Sequence, residues 1–197
     1  MRIEELTLQE VRDIYRQRMT EDFPRNELKT LGMIERTAGK GLYRCFGLKE
    51  ADELLAYAFF VHLTENGEEH YLLDYYAVDR EQRGTGIGSR FLKMLCEDHL
   101  KDADCVLLEV EDPACVEEDR ETRERRLQFY LRNGMLDTGV KANVFGADFI
   151  LLRMPVGKTD ADFGAIYQNI YRTILPWLVF RAMVRMKPEG PPEEKTP

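Results

Sequence analysis

The stretch that decides the fold is Tyr71–Ser89, with the sequence YLLDYYAVDREQRGTGIGS. Its apolar run 71–78 is typical of a buried strand, and the periodic run 89–100 that follows is typical of a helix. Between the two runs lie three glycines, Gly84, Gly86 and Gly88. Glycine allows a sharp turn, and the backbone N–H groups at a helix N-terminus attract anions. The stretch therefore predicts a cradle for a ligand that carries a pyrophosphate.

Two other phosphate-binding loops do not fit this spacing. No Gly-Lys-Ser/Thr ends the loop, which excludes a Walker A sequence. The dinucleotide fingerprint Gly-x-Gly-x-x-Gly fails at its third glycine. A Rossmann unit would also start a series of strand–helix alternations, whereas this loop lies near mid-chain. Taken alone, the loop also permits a purely structural turn.

The rest of the chain alternates helices and strands around this loop. A short strand is predicted over 3–6, and Thr7 with Glu10 forms the capping box of a first helix. A second helix is predicted to begin at Pro24, a residue suited to a first helical turn, and to end near Lys40. Further strands are predicted over 42–48, 54–63, 71–78, 106–110, 140–145 and 149–154. Further helices are predicted over 89–100 and 117–131.

The loop Arg83–Gly88 resembles the acyl-CoA loop of the GNAT superfamily of N-acetyltransferases, Arg/Gln-x-x-Gly-x-Gly/Ala. Ala77-Val78 fits the fourth strand of that family, and 129–135 (FYLRNGM) resembles its Phe-Tyr-x-x-x-Gly-Phe segment. The order of elements over about residues 1–155 is also that of the family. The resemblance implies acetyl-CoA as the donor substrate and no metal. It implies a cofactor-binding surface made of Tyr76, Ala77, Val78, Arg83, Gly84, Thr85, Gly86, Ile87, Gly88 and Ser89.

The expected fold class is α/β: a GNAT-like mixed, mostly antiparallel central sheet flanked by helices, plus a C-terminal helical extension. We expect a GNAT-like acyltransferase domain over 1–156, the extension over 157–187 and a disordered tail over 188–197. Apolar residues recur at helical spacing in the extension, and Pro176 should kink or restart its helix. A helix packed on the domain is favoured over a homodimer contact and over a helix on a membrane surface.

Composition argues against several other classes. The formal net charge of −8 argues against nucleic-acid binding. No run approaches the ~20 apolar residues of a membrane-spanning helix, and the first residues lack the apolar run of a signal peptide. The four cysteines show no Cys-x-x-Cys spacing, and the three histidines share no metal-ligand spacing. We therefore expect a cytoplasmic protein without disulfides, a zinc site or a membrane span.

Tyr130 is the candidate general acid. In the family that Phe129-Tyr130 resembles, the tyrosine lies near the thioester sulfur and commonly protonates the departing thiolate. A phenol is neutral at pH 7 and can donate a proton, and acid/base groups contribute about 10²–10⁴-fold to a rate. The alternative is a core tyrosine on an amphipathic helix.

Two carboxylates compete as the general base that deprotonates the acceptor amine. Leu108-Glu109-Val110 matches the fifth-strand Leu-Glu-Val of the family's ribosomal-protein N-terminal acetyltransferases, where the glutamate acts as base. A lone glutamate in a buried strand is costly unless it is paired or functional. The rival is Asp74 in the fourth strand, which strict alternation places on the same face as Leu72 and Tyr76. Glu109 is placed ahead of Asp74.

The sequence departs from the pattern of the ribosomal-protein N-terminal acetyltransferases in two places. Asp112-Pro113 stands where the family often has an asparagine that contacts the cofactor arm. The segment between Glu109 and Tyr130 is also longer, which weakens any transfer of specificity for protein N-termini. On the acceptor side, the carboxylates of Glu21–Glu27 could bind an amine, although acidic residues at a helix start also favour the helix dipole.

These features predict an N-acetyltransferase that moves an acetyl group from acetyl-CoA to a primary amine of a small molecule or peptide. The alternative is an acyl-CoA-binding regulatory module without catalysis. A longer acyl donor also stays open, because the sequence does not define the width of the pocket.

Overall fold

The computed structural model describes residues 1–25, 27–115 and 119–187, which form an α/β fold around one eight-stranded sheet. The strands are β1 (Arg2–Glu5), β2 (Tyr43–Glu50), β3 (Glu53–Glu65), β4 (Glu68–Val78), β5 (Cys105–Glu111), β6 (Leu136–Val144), β7 (Ala147–Arg153) and β8 (Val184–Lys187). The α-helices are α1 (Leu8–Ile14), α2 (Thr20–Asp22), α3 (Leu31–Gly39), α4 (Ile87–Met94), α5 (Arg120–Arg132), α6 (Phe163–Ile174) and α7 (Trp177–Met183). The strand order is β1-β2-β3-β4-β5-β7-β6-β8. Neighbouring strands are antiparallel except β4 and β5, which run parallel.

Two apolar layers cover the sheet, one on each face. Successive strand residues point to opposite faces, so Phe59 enters one layer and Phe60 the other. The Phe59 layer packs under α1, α3, α6 and α7, and we call it the α6 face. The Phe60 layer packs under α4 and α5, and we call it the α4–α5 face. Burying one such side chain contributes about 1.5–3 kcal/mol, so both layers stabilise the fold.

The parallel pairing of β4 with β5 ends before either strand does. The register joins His70–Leu73 to Cys105–Leu108, and beyond it β4 pairs only with β3 and β5 only with β7. Asp74 and Glu109 are therefore the first residues along an open gap in the middle of the sheet. Strand edges without a neighbouring strand carry backbone groups that can bond an extended ligand.

A β-bulge in β4 places Asp74 and Tyr76 on opposite faces of the sheet. Phe59–Phe60 are consecutive in β3 but pair with Tyr75 and Leu73, so Asp74 is the extra residue. Asp74 shares a face with Leu72, as strict alternation predicts. The prediction that it also shares a face with Tyr76 is wrong, because the bulge shifts the side chains that follow it by one position. Tyr76 packs on the α4–α5 face, whereas the hydrogen bonds of Asp74 are to groups of the α6 face.

The predicted order of helices and strands is confirmed, but the start of the second helix is wrong. That helix, α3, begins at Leu31, and the Thr30 side chain caps it by accepting the Met33 N–H. The segment that begins at Pro24 is a loop instead. Tertiary hydrogen bonds hold this loop, because the backbone N–H of Lys29 donates to the Tyr75 hydroxyl at 2.8 Å. These tertiary contacts outweigh the preference of proline for the first turn of a helix.

The C-terminal segment contains the predicted helices and one strand that was not predicted. Ile166 and Ile170 of α6 are buried in the α6 face, and Pro176 is the N-cap of α7. The strand β8 pairs antiparallel with β6, which extends the central sheet by one strand. The domain boundary at residue 156 stays a prediction, and the predicted tail 188–197 lies outside the described residues.

Candidate active site

The loop after β4 presents backbone amides at the start of α4. Gly84 and Gly86 have φ angles of +79° and +88°, in the left-handed region that favours glycine. Gly86 is the N-cap of α4, and Ile87–Ser89 form its first turn, where N–H groups have no acceptor within the helix. A Cβ at 84 or 86 would meet no described atom within 4 Å, so this side of the loop is open. The loop therefore offers unpaired donors, a positive helix end and room for an anion.

The third glycine has a different role. A Cβ on Gly88 would lie 3.2 Å from the Phe129 ring and 3.3 Å from a Val78 methyl group. Gly88 therefore lets α4 pack closely against α5. The Tyr76 hydroxyl donates to the Gly88 carbonyl at 2.6 Å, which fixes the same turn from the sheet below. This hydrogen bond joins the first turn of α4 to β4.

Two polar side chains of the loop bond to the protein itself. Arg83 donates to the Asp22 carboxylate at 2.9 Å and to the Val78 carbonyl at 3.1 Å. Thr85 donates to the Gln82 carbonyl at 2.6 Å. These three contacts stiffen the turn, so the backbone amides are the groups of the loop that face a ligand.

A groove of about 630 Å³ continues from the first turn of α4 towards the end of α5. Its lining includes the cations Arg90, Lys93 and Arg132, together with Ser89. Arg132 lies 5.4 Å from the Phe129 ring centroid, and Lys93 is 3.7 Å from the Glu97 carboxylate. The groove adds positive charge next to the amides of the loop.

Tyr130 is buried on the α4–α5 face. Its ring centroid lies 5.2 Å from that of Phe129 and 6.3 Å from that of Tyr76. Its hydroxyl has no hydrogen-bond partner among the described residues. Burial raises the pKa of Tyr130 to about 12, against the opposing charge of Arg126. The phenol is therefore protonated at neutral pH and available as a proton donor.

Glu109 lies on β5, one residue past the last parallel pair with β4, and is partly exposed. Tyr167 and Tyr171, one turn apart on α6, both donate to its Oε1 atom, Tyr171 at 2.7 Å. Oε2 has no hydrogen-bond partner among the described residues. Burial raises the pKa of Glu109, although the two hydroxyls oppose the shift. A carboxylate with a raised pKa and one free oxygen is suited to accept a proton.

Asp74 lies across the gap from Glu109 and has both of its oxygens in use. Lys29 donates to Oδ1 of Asp74, and the Tyr43 hydroxyl donates to Oδ2. The Lys29 ammonium also lies 5.7 Å from the Tyr75 ring centroid. Asp74 is therefore one half of an ion pair, and the Lys29 charge makes its carboxylate a weaker proton acceptor.

In the predicted acceptor loop Glu21–Glu27, the described carboxylates of Glu21 and Asp22 lie beside cations of the chain itself. Arg80 lies 3.7 Å from the Glu21 carboxylate, and Asp22 is bonded to Arg83 as described above. Glu27 is close enough to Glu111 for their charges to interact, and burial raises the pKa of Glu27. Asn26, also in this predicted loop, lies outside the described residues.

The gap in the sheet brings the predicted catalytic groups into one region. Glu109 and Asp74 stand on its two sides on the α6 face, and Tyr130 lies on the opposite face beside the loop. Four contacting residues were not singled out from the sequence as members of the site: Lys29, Tyr43, Tyr167 and Tyr171. The two tyrosines of α6 could have been found from the sequence. Two tyrosines four positions apart on the apolar side of a helix need hydrogen-bond acceptors, and a carboxylate in a buried strand needs donors.

Comparison with known proteins assigns this arrangement to a class. The sequence profile of the acetyltransferase (GNAT) family matches residues 8–132, which is more than half of the chain. The chain belongs to this family of acetyltransferases. No curated protein sequence matches it.

Solved structures share the fold at low sequence identity. A GNAT-family protein from Bacteroides thetaiotaomicron is 24% identical with a TM-score of 0.66, over 88% of this chain and 98% of that one. The ribosomal-protein-S18-alanine N-acetyltransferase from Escherichia coli is 18% identical with a TM-score of 0.54, over 82% and 97%. An aminoglycoside 6'-N-acetyltransferase complexed with coenzyme A is 17% identical with a TM-score of 0.56, over 81% and 100%.

Two further properties bear on the kind of site. Within the described ranges, no group of three or more His, Cys, Asp or Glu residues is placed to hold a metal ion. No helix in the same ranges is long and apolar enough to cross a membrane.

The contact of Gly88 with α5 predicts a difference between two helical glycines. Gly32 and Gly88 both occupy the second position of a helix, but only a Cβ on Gly88 would meet its neighbours. Gly32→Ala should stabilise the chain by up to ~1 kcal/mol through helix propensity. Gly88→Ala should give no gain or a loss, because Phe129 and Val78 must move. Urea unfolding of both variants measures this difference, and an equal gain in both would contradict the contact.

Proposed function

We propose that this protein is an N-acetyltransferase that moves an acetyl group from acetyl-CoA to a primary amine of a small molecule or peptide. The observation that carries the proposal is the cradle of unpaired amides at Gly84 and Gly86–Ser89, which lies at the end of β4 beside the gap between β4 and β5. Membership of the acetyltransferase family supports the proposal.

The chemistry of the site fits the parts of coenzyme A. Its pyrophosphate suits the backbone N–H groups of Gly84 and Gly86–Ser89 and the positive end of α4. The phosphate on its nucleotide suits the groove that carries Arg90, Lys93 and Arg132. Its extended, amide-bearing arm suits the free strand edges of the gap, where backbone groups can bond it as an added strand would. Coenzyme A bound to the aminoglycoside enzyme shows that a chain of this fold holds this molecule.

Glu109 is the residue we propose as the general base. An amine of the lysine type is mostly protonated at neutral pH, since its pKa is about 10.4, and its ammonium form has no lone pair for attack. Oε2 of Glu109 takes this proton, directly or through water, and the freed amine attacks the thioester carbonyl. Asp74 is the weaker candidate because Lys29 and Tyr43 occupy its two oxygens.

Tyr130 is the residue we propose as the general acid. Its neutral hydroxyl gives a proton to the thiolate that leaves when the thioester C–S bond breaks. The rings of Phe129 and Tyr76 hold the phenol beside the turn that Gly88 packs. Acid and base then come from opposite faces of the sheet, and the gap lets both reach one acyl group.

The acceptor is the part of the proposal that the comparisons constrain least. Two of the structures that share this fold are named for acetyl transfer to a ribosomal-protein alanine and to an aminoglycoside, and both acceptors present a primary amine. A panel of amines, polyamines, amino acids and peptides with acetyl-CoA, followed by the release of free thiol, would identify the class. The alternative of an acyl-CoA-binding regulatory module is not favoured, because such a module needs no free carboxylate oxygen and no unpaired phenol at the gap.

Stabilisation by acetyl-CoA tests the donor site. Millimolar acetyl-CoA should raise the melting temperature of the chain, because only the folded loop assembles the amides that bind it. Gly86→Val should abolish that rise by placing a side chain in the cradle. Gly146→Val is the matched control. Gly146 has φ of +89° in the β6–β7 turn, so a valine there causes the same backbone strain away from the loop. A rise with NAD or ATP but none with acetyl-CoA would contradict the donor assignment.

Removal of one hydroxyl tests the acid. Tyr130→Phe keeps the ring in its packing and should lower kcat by about 10-fold or more, with the Kd for acetyl-CoA nearly unchanged. Tyr71→Phe is the control, because the Tyr71 hydroxyl is bonded to Arg44, away from the gap. Steady-state kinetics and calorimetry measure both quantities. An unchanged kcat in Tyr130→Phe would assign this side chain to packing.

The pH dependence of the rate tests the base. Glu109 must be deprotonated to act, so kcat/KM should rise with pH through its pKa, which burial raises above the ordinary 4.5. Glu109→Gln should flatten this acidic limb and lower kcat/KM by about 10²–10⁴-fold. Asp74→Asn should have the smaller effect. Profiles of kcat/KM against pH with one good acceptor decide between them, and a limb lost only in Asp74→Asn would reverse the order.

A further inference from the structure

The two tyrosines that bind Glu109 come from a part of the chain that the family profile does not cover. The profile ends at residue 132, whereas α6 spans Phe163–Ile174. Both hydroxyls donate to the same carboxylate oxygen, Oε1. The C-terminal segment is therefore in direct contact with the proposed base and is not only a cover for the sheet.

Contacts along α6 fix the height and rotation of this helix over the sheet. Its first turn is capped by Asp162, whose Oδ1 accepts the Ala165 N–H at 2.9 Å. Its inner side is buried through Ile166 and Ile170, and its outer side is held by Asn169, which donates to Glu65 at 3.0 Å. The tyrosine rings pack edge to face with centroids 5.0 Å apart. The two hydroxyls therefore have fixed positions against β5.

We infer that Tyr167 and Tyr171 are positioning residues for the acetyl transfer: they anchor Oε1 of Glu109 and leave Oε2 as the oxygen that takes the proton of the acceptor amine. The inference rests on the proposed function, in which Glu109 is the base. Neither tyrosine has to touch the substrate, since both act through the carboxylate.

The chemistry of the step explains why two donors are useful here. Before the transfer, both hydroxyls donate to a negatively charged oxygen, and such hydrogen bonds are stronger than those to a neutral acceptor. The N–H bond of the ammonium then breaks and an O–H bond forms at Oε2, so the carboxylate becomes a neutral acid. The tyrosines therefore stabilise the reactant form of the base and oppose the effect of burial on its pKa.

Other groups around Glu109 act without a direct bond to it. The Lys29 ammonium, from the loop before α3, favours the carboxylate form, and Asp74 on β4 disfavours it. On the β7 side, the residue that pairs with Glu109 is Leu151, which carries no charge. The tyrosines are thus the described groups that hydrogen-bond this side chain, and their removal should give the clearest effect.

The experiment compares Tyr167→Phe, Tyr171→Phe and the double variant with the parent protein. In each single variant the acidic limb of kcat/KM should move to higher pH by about one unit, because a donor to the charged form is lost. The double variant should move further. The Kd for acetyl-CoA should not change, since the donor cradle lies at the start of α4.

A second measurement does not depend on turnover. With ¹³C-labelled glutamate, the carboxyl signal of Glu109 is identified by its absence in Glu109→Gln, and its pKa is read from an NMR titration. This pKa should rise in both phenylalanine variants. Ile170→Val is the control for a loosened helix: it should lower the melting temperature without moving the Glu109 pKa.

The two readouts separate the inference from the function on which it rests. If no amine is acetylated by the parent protein, the proposed function fails, while the NMR titration still tests the bond between the tyrosines and Glu109. An NMR pKa that stays unchanged in both phenylalanine variants overturns the inference whether or not the protein turns over. An NMR pKa that rises while the limb of kcat/KM stays in place also overturns it, because the base would then be another group.

Discussion

The early end of the parallel pairing between β4 and β5 is the constraint on which the site depends. Ladder hydrogen bonds stop after Leu73 and Leu108, so each half of the sheet continues with its own antiparallel partner. The bulge at Asp74 adds to this effect, because it turns Tyr76 to the α4–α5 face while Asp74 stays on the face that also carries Glu109. The same strand, β4, leads directly into the glycine loop. One interruption in the sheet thereby sets which side chains line the gap beside the glycine loop.

Regular patterns made most of the fold predictable, and tertiary contacts explain what was missed. The strands and helices around the glycine loop follow from the periodicity of their apolar residues. The choice of Glu109 as candidate base and of Tyr130 as candidate acid follows from the resemblance to a family. The bulge in β4 leaves no pattern in a single strand, since it is defined by the register of β3. The partners of Glu109 were invisible for a similar reason: they lie 58 and 62 positions later in the chain. Spacing within one element carries no information about such a pair.

Residues of the same type perform different physical tasks in this site. Gly84 and Gly86 are needed for their backbone angles, whereas Gly88 is needed for the space that a side chain would take from α5. The carboxylates also differ. Asp74 is neutralised by Lys29, and Glu109 is held by neutral hydroxyls, which satisfy one oxygen and cancel no charge. A base that is solvated by neutral donors keeps its proton affinity better than one held in an ion pair.

The position of α6 late in the chain has a consequence for how the protein matures on the ribosome. Synthesis proceeds from the N-terminus, whereas a domain generally folds as one unit. The glycine loop and β5 emerge well before Tyr167 and Tyr171, and β8, which joins the sheet beside β6, comes last of the described strands. A nascent chain therefore contains the residues of the glycine loop and Glu109 before the two tyrosines that bond Oε1 have been synthesised. Because α6 also supplies core residues such as Ile166 and Ile170, the carboxylate is ordered only when the whole sheet has been covered.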